Sequence, residues 1–159
     1  MKPIAFFIPG NPKGLKRHRS YTTRQGIHVN VDPSCEDKMD FLAKAMVHRP
    51  DEPSREPLAL SLCCVFPRPK NHFRTGRHAG LLKSPSPYWY AGTPDLDNIV
   101  KFVGDAFNGI FWHDDRQLVR VSVSSVYGPR PGIHVHIYRP GGEDIHQTLV
   151  QTGDLPDCS

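Results

Sequence analysis

Two long stretches of this 159-residue chain contain no carboxylate at all. Residues 1–30 hold Lys2, Lys13, Lys16, Arg17, Arg19 and Arg24 without one Asp or Glu, and residues 57–94 hold Arg68, Lys70, Arg74, Arg77 and Lys83, again without an acid. Segregation of this kind suggests a polyanionic partner, and the plain alternative is a pair of solvated loops. The opposite absence marks the end of the chain: after Arg139 come four acids and no Lys or Arg. The net charge of +4 hides this segregation.

Other absences narrow the class. No run approaches the roughly 18 apolar residues of a membrane helix. The first apolar run stops at Pro9-Gly10, too short for a signal peptide. Of the four cysteines, none form a CxxC pair, which argues against a zinc or thioredoxin-like motif. Cys63 and Cys64 are adjacent and cannot form an ordinary disulfide with each other. Leu60, Leu62, Val65 and Phe66 surround them, so they read as packing residues of a strand. A reducing, cytoplasmic setting without a membrane is the expectation. No internal repeat or domain break interrupts the chain.

The elements follow from pattern. Ile4–Ile8 is a short apolar run closed by Pro-Gly, and predicts a buried strand. Residues 11–26, "NPKGLKRHRSYTTRQG", read as a basic loop, and Ile27–Val31 as a short extended piece. Asp32-Pro33 predicts a helix start, with Asp as N-cap and Pro at the first position. Met39, Leu42, Ala43, Met46 and Val47 recur at helical spacing as its core face, and His48-Arg49-Pro50 ends it. Leu58–Phe66 predicts a dense apolar strand. Residues 67–92 read as a long loop rich in cations and aromatics, and loops of this length are usually functional or disordered. A helix follows, then Leu118–Val126 as an alternating strand, a Gly-Pro-Arg-Pro-Gly turn, and Ile133–Tyr138 as the last strand. The expected fold is a single compact α/β (α+β) domain over residues 1–140, a small mixed sheet with helices on it, in the order β-α-β-α-β-β. Residues 141–159 read as a polar acidic tail.

Between the long loop and the alternating strand lies the acid-rich segment 93–119, "TPDLDNIVKFVGDAFNGIFWHDDRQLV". Leu96, Ile99, Val100, Val103 and Phe107 form one helical stripe, which predicts burial. Asp97, Lys101, Asp105 and Asn108 form a second stripe, and Gly109 suits the helix end. Asp95 and Asp97, two apart, would diverge in mid-helix. At a helix start, an extended Asp95 can turn toward Asp97, and both can share a hard cation near the positive helix end. Asp114-Asp115 precedes an alternating strand, where neighbours face opposite ways, so only one of the two can join them. The plain reading is a cap and a turn. The two separate basic stretches favour the chemical one: phosphodiester cleavage needs cations to hold phosphates and carboxylates to hold a metal.

This segment resembles the RusA family of Holliday junction resolvases, whose pattern reads D-L-D-N-hydrophobic-x-K-x-x-x-D-A-hydrophobic-N-G and then D-D-x-Q-hydrophobic. Asp95, Leu96, Asp97, Asn98, Lys101, Asp105, Ala106, Asn108, Gly109, Asp114, Asp115 and Gln117 match in register. "PGNPKGLKRHR" is similar to the family's basic N-terminal loop, and "RPKNHFRTGRHAGLLK" to a segment of phage-borne relatives. The resemblance implies a magnesium-dependent endonuclease (manganese being an alternative cofactor) that cuts four-way DNA junctions as a homodimer in a bacterial or phage-infected cell. It makes Asp95, Asp97 and Asp115 the metal ligands and catalytic carboxylates, and Lys101 a catalytic lysine. Asn98, Asp105, Asn108, Asp114 and Gln117 become supporting residues: Asp105 and Asn108 hold Lys101 or cap the helix, and Asp114 turns the chain. Lys13, Lys16, Arg17, Arg19, Arg68, Lys70, Arg74, Arg77 and Lys83 are the expected DNA contacts. The long aromatic loop before Asp95 departs from the family, so junction contacts and sequence preference do not carry over. Trp89 and Tyr90 read as a cover on a core edge, with stacking on unpaired bases as the alternative. His134 and His136 read as exposed polar residues of a strand, and His113 as a candidate ligand or base. The competing functions are a metal nuclease for flaps or forks, and an inert protein that only binds branched DNA.

Overall fold

A computed structural model describes residues 2–17 and 19–140. The acidic tail lies outside the described residues. The chain forms two compact units, each assembled from separate segments. The first takes up to Pro12, then Pro57–Thr93 and the chain from Leu118, and the second takes Lys13–Glu56 and Pro94–Gln117.

The first unit is a mixed four-stranded sheet in the order β1-β6-β4-β5, from β1 (Ile4–Pro9), β4 (Leu58–Pro67), β5 (Leu118–Gly128) and β6 (Gly132–Tyr138). β6 pairs antiparallel with β1 and β4, while β4 and β5 run parallel. β4 is buried from Leu58 to Phe66 because it has neighbours on both edges and cover on both faces. Its continuous apolar run therefore reflects a central strand, and Cys63 and Cys64 pack within it as free thiols. Burial pushes the Cys64 thiol well up from its ordinary value. Only the turn at 129–131 separates β5 from β6, yet they do not pair: β4 lies between them. His134 and His136 are half-buried, against the expected exposure; their rings lie on Phe7 at 4.6 Å and Tyr138 at 4.5 Å.

Parallel strands cannot be joined by a hairpin and need a crossover of a dozen or more residues. The crossover from β4 to β5 carries the aromatic loop and the acid-rich helix α2 (Leu96–Phe107). The long loop is structured. It contains tight helical turns at Lys70–His72 and Gly76–His78, and the 88–90 segment adds itself to the free edge of β5 through Tyr90 N–H to Ser125 O and Tyr127 N–H to Tyr88 O. Tyr90 stacks flat on Phe66 at 3.7 Å, so it covers the core edge as expected. Trp89 is 53% exposed.

The second unit holds α1 (Cys35–Ala45), α2 and a small antiparallel hairpin of β2 (Arg19–Thr22) and β3 (His28–Val31). The hairpin falls partly in the stretch expected as loop; its alternation is weak and its side chains are mostly polar. α1 begins later than expected, with Ser34 as N-cap. Asp32 Oδ1 accepts the Ser34 N–H and makes a turn before the helix, which is what competes with capping in Asp. The buried face of α1 is Phe41 and Ala45, with Leu42 and Met46 partly buried. Met39 (66% exposed) and Val47 (82% exposed) fall outside it, because Phe41 and not the methionine defines the stripe. Phe41 meets Phe102 and Phe107 of α2 at 5.3 and 5.4 Å, and Phe107 in turn meets Phe111 at 4.4 Å. Each such aromatic contributes roughly 2–3 kcal/mol by burial.

Candidate active site

α2 begins as its sequence requires. Asp95 is the N-cap, extended at φ −70° and ψ 152°, and its carboxylate makes no capping bond. That carboxylate is exposed, as is the carboxylate of Asp97 one position inside the helix. Ile99, Phe102, Val103, Ala106 and Phe107 bury the opposite face. Leu96, expected in the stripe, is half-exposed at the first turn, where the helix has no neighbouring turn to pack beneath it. Asn108 is the C-cap and Gly109 follows at φ 75°, a left-handed conformation that favours glycine.

Lys101 Nζ donates to Asp97 Oδ2 at 3.1 Å, the i,i+4 contact expected of this stripe. That hydrogen bond holds the Asp97 carboxyl below its usual range. Asp105 does not hold Lys101. It pairs with Lys38 of α1 at 3.4 Å, and Lys38 is shared with Asp32 at 2.6 Å. The hydrogen bond to Asp32 is the main cause pushing the Lys38 ammonium up.

The adjacent pair of acids is split by its turn. Asp114 Oδ1 accepts the Arg116 backbone N–H and Nε–H, both at 3.0 Å, and Oδ2 accepts Nη2–H at 2.7 Å. These bonds hold the Asp114 carboxyl well below the carboxylate range. Asp115 opens a single helical turn, Asp115–Gln117, with its side chain exposed. Gln117 explains its own place in the motif. Its Oε1 accepts Asp114 N–H at 2.9 Å, while Nε2 donates to Ser54 O at 2.8 Å and Glu56 O at 2.9 Å. Ser54 N–H donates to Phe111 O and His113 N–H to Ser54 O, so segment 54–56 is tied to segment 111–117 by four bonds in all. One cleft of about 390 Å³ results, lined by Arg55, His113, Asp114, Arg116 and Gln117.

From Lys13 onward, the first basic stretch shares this unit. Gly14 lies so close to α2 that an added Cβ would sit 2.6 Å from Pro94 Cβ and 3.2 Å from Asn98 Cβ. Leu15 N–H donates to Asn98 O at 3.0 Å. Lys13 and Lys16 converge on Asp37 of α1, and Lys16 N–H donates to Ser34 Oγ at 2.8 Å. The two ammoniums hold the Asp37 carboxyl below its usual range. Arg17 is exposed, and the Arg19 side chain lies outside the described residues. The second basic stretch belongs to the other unit. There Arg68 is committed to the fold, donating to Pro87 O at 2.7 Å and lying 5.5 Å from the Tyr127 ring. Lys70, Arg74, Arg77 and Lys83 are exposed.

The structure thus brings Asp95, Asp97, Lys101, Asp115, Lys13 and Lys16 into one unit. Among the described residues, no three His, Cys, Asp or Glu side chains converge closely enough to hold a metal as they stand. Sequence reasoning missed Gly14, Asp37 and Arg55. A glycine inside "PKGLK" was the available signal for the first, and nothing local marks the other two.

An acidic helix start, a lysine one turn along it and a basic loop tied to that helix stand within one unit. The family comparison supplies the class. The endodeoxyribonuclease RusA family model matches residues 9–138, and the chain belongs to that family. It is also 28% identical over 143 residues to the uncharacterized protein YqaN of Bacillus subtilis (strain 168), covering 86% of this chain and 96% of that protein. Among the described residues, no helix is long and apolar enough to cross a membrane.

Proposed function

We propose that this endodeoxyribonuclease resolves four-way DNA junctions by paired, metal-dependent hydrolysis as a homodimer. The supporting observation is the placement of Asp95, Asp97, Lys101, Asp115 and the Gly14 loop in one unit, within the segment the family model matches. The donor set is carboxylate oxygen throughout, which suits a hard divalent cation such as magnesium or manganese. Asp95, Asp97 and Asp115 would hold it, and their exposure leaves their rotamers free to turn together. When bound, such an ion lowers the pKa of a water and offsets charge on phosphate oxygens.

The chain's own groups do the rest. Lys101 leaves Asp97 for a non-bridging oxygen of the scissile phosphate and offsets the charge that grows there. Lys13 and Lys16, fixed by Asp37, hold the backbone beside the cut. Asp114 and Gln117 set the direction of Asp115. Two cuts in symmetry-related strands call for two related sites, which a two-fold dimer supplies.

The test is a synthetic four-way junction with magnesium, cut by wild type and by Asp97→Asn. We expect paired nicks from wild type, and at least a 100-fold loss in the variant. Junction binding without cutting would support the inert binder instead. Equal cutting of flaps and forks would support the broader nuclease, and unchanged Asp97→Asn activity would remove the metal-site assignment.

A further inference from the structure

The Arg55 cleft lies outside every motif residue proposed for DNA contact. Arg55 and His113 are exposed, and among the described residues neither side chain has a hydrogen bond or ion pair. Arg116 is held in place by Asp114 through Nε–H and Nη2–H, which leaves three of its five N–H donors open. Two arginines against one aspartate leave the lining with a net positive charge when His113 is neutral. The cleft is also built: Gln117 and the Ser54 backbone bonds hold Arg55 next to the turn that presents Asp115. An exposed arginine without a partner among the described residues, on a fixed segment beside a second planar fork, is suited to the tetrahedral, multi-oxygen phosphate anion.

We infer that the cleft of Arg55, His113 and Arg116 is a phosphate subsite that takes a backbone phosphate of the DNA strand flanking the one cut. This rests on the nuclease reading above. Arg55 and Arg116 are then positioning residues: they set the register of the strand, and Asp115 acts on the neighbouring phosphate.

The test is junction binding by fluorescence anisotropy, with the full chain in chelator so that nothing is cut, across a salt series. Arg55→Gln, Arg55→Lys and, as a control for charge alone, Arg49→Gln are compared with wild type, and melting curves check their folding. Losing one phosphate contact in each protomer of the dimer should make the slope of log affinity against log salt shallower by about 1.8, roughly 0.9 per contact. We expect this for Arg55→Gln, with a five- to tenfold weaker affinity, partial recovery in Arg55→Lys, and little change in Arg49→Gln. An unchanged slope in Arg55→Gln, or an equal change in Arg49→Gln, overturns the subsite while wild-type cutting leaves the nuclease standing. Wild type that neither binds nor cuts junctions removes both.

Discussion

Asp37 is the acid that the basic loop lacks. Two ammoniums share one carboxylate whose side chain is 17% exposed, while the lysines are half-exposed above it. A carboxyl held below its ordinary value of 3.8 stabilises the fold above that value, and loses this contribution as pH falls through the lowered one. Asp37→Asn should therefore cost about 1 kcal/mol near neutral pH, a figure kept small by solvent screening. The difference from wild type should shrink in acid below the ordinary carboxylate value and vanish only below the lowered one. Thermal melting at several pH values measures this, and a gap that persists in acid would contradict it. At the same scale, Asp95 and Asp97 were legible as a helix start with spare carboxylates. The partner of Asp105 was not, since Lys38 is distant in sequence.

Elements decide how those residues are held. The crossover required by parallel β4 and β5 carries α2, and tight packing sets the loop against it. Gly14→Ala should force Pro94 or the loop to shift, with an overpacking cost of about 1–3 kcal/mol. Its melting temperature and junction cutting should both fall, and a variant with wild-type melting and cutting would show that the close approach yields freely. Gln117→Ala removes three hydrogen bonds, and at about 1 kcal/mol each should cost roughly 2–3 kcal/mol. It should also slow cutting, because the turn before Asp115 loses its tie to segment 54–56; full activity would show that the turn holds itself. β3 was legible as a short extended piece, but β2, its pairing with β3 and the added strand at 88–90 were not, since these lie in backbone bonds and leave little hydrophobic alternation.

For the molecule as a whole, the reading requires two sites acting together. A mixed population of wild-type and Asp97→Asn chains should contain dimers that nick one strand only. On a supercoiled plasmid with an extruded cruciform, nicked circles should then accumulate at the expense of linear product. Linear product in proportion to wild-type chains alone would argue against paired action. The division into two units also separates the two acid-free stretches. The first lies with the acids from Lys13 onward, and the second, up to Thr93, belongs to the sheet unit, where Arg68 serves the fold.

The sequence by itself determined the helix around Leu96–Phe107, the central strand, the acids at the two ends of that segment and the family pattern. These are local signals: spacing on a helix, a continuous apolar run, a cap. Only the tertiary structure decided that Asp114 turns back on Arg116 while Asp115 stays exposed, that Asp105 serves Lys38, and that Arg55 stands beside the Asp115 turn. Each of those depends on contacts between residues far apart in the chain, or on which of two neighbours a turn engages. No periodicity in the sequence records such choices.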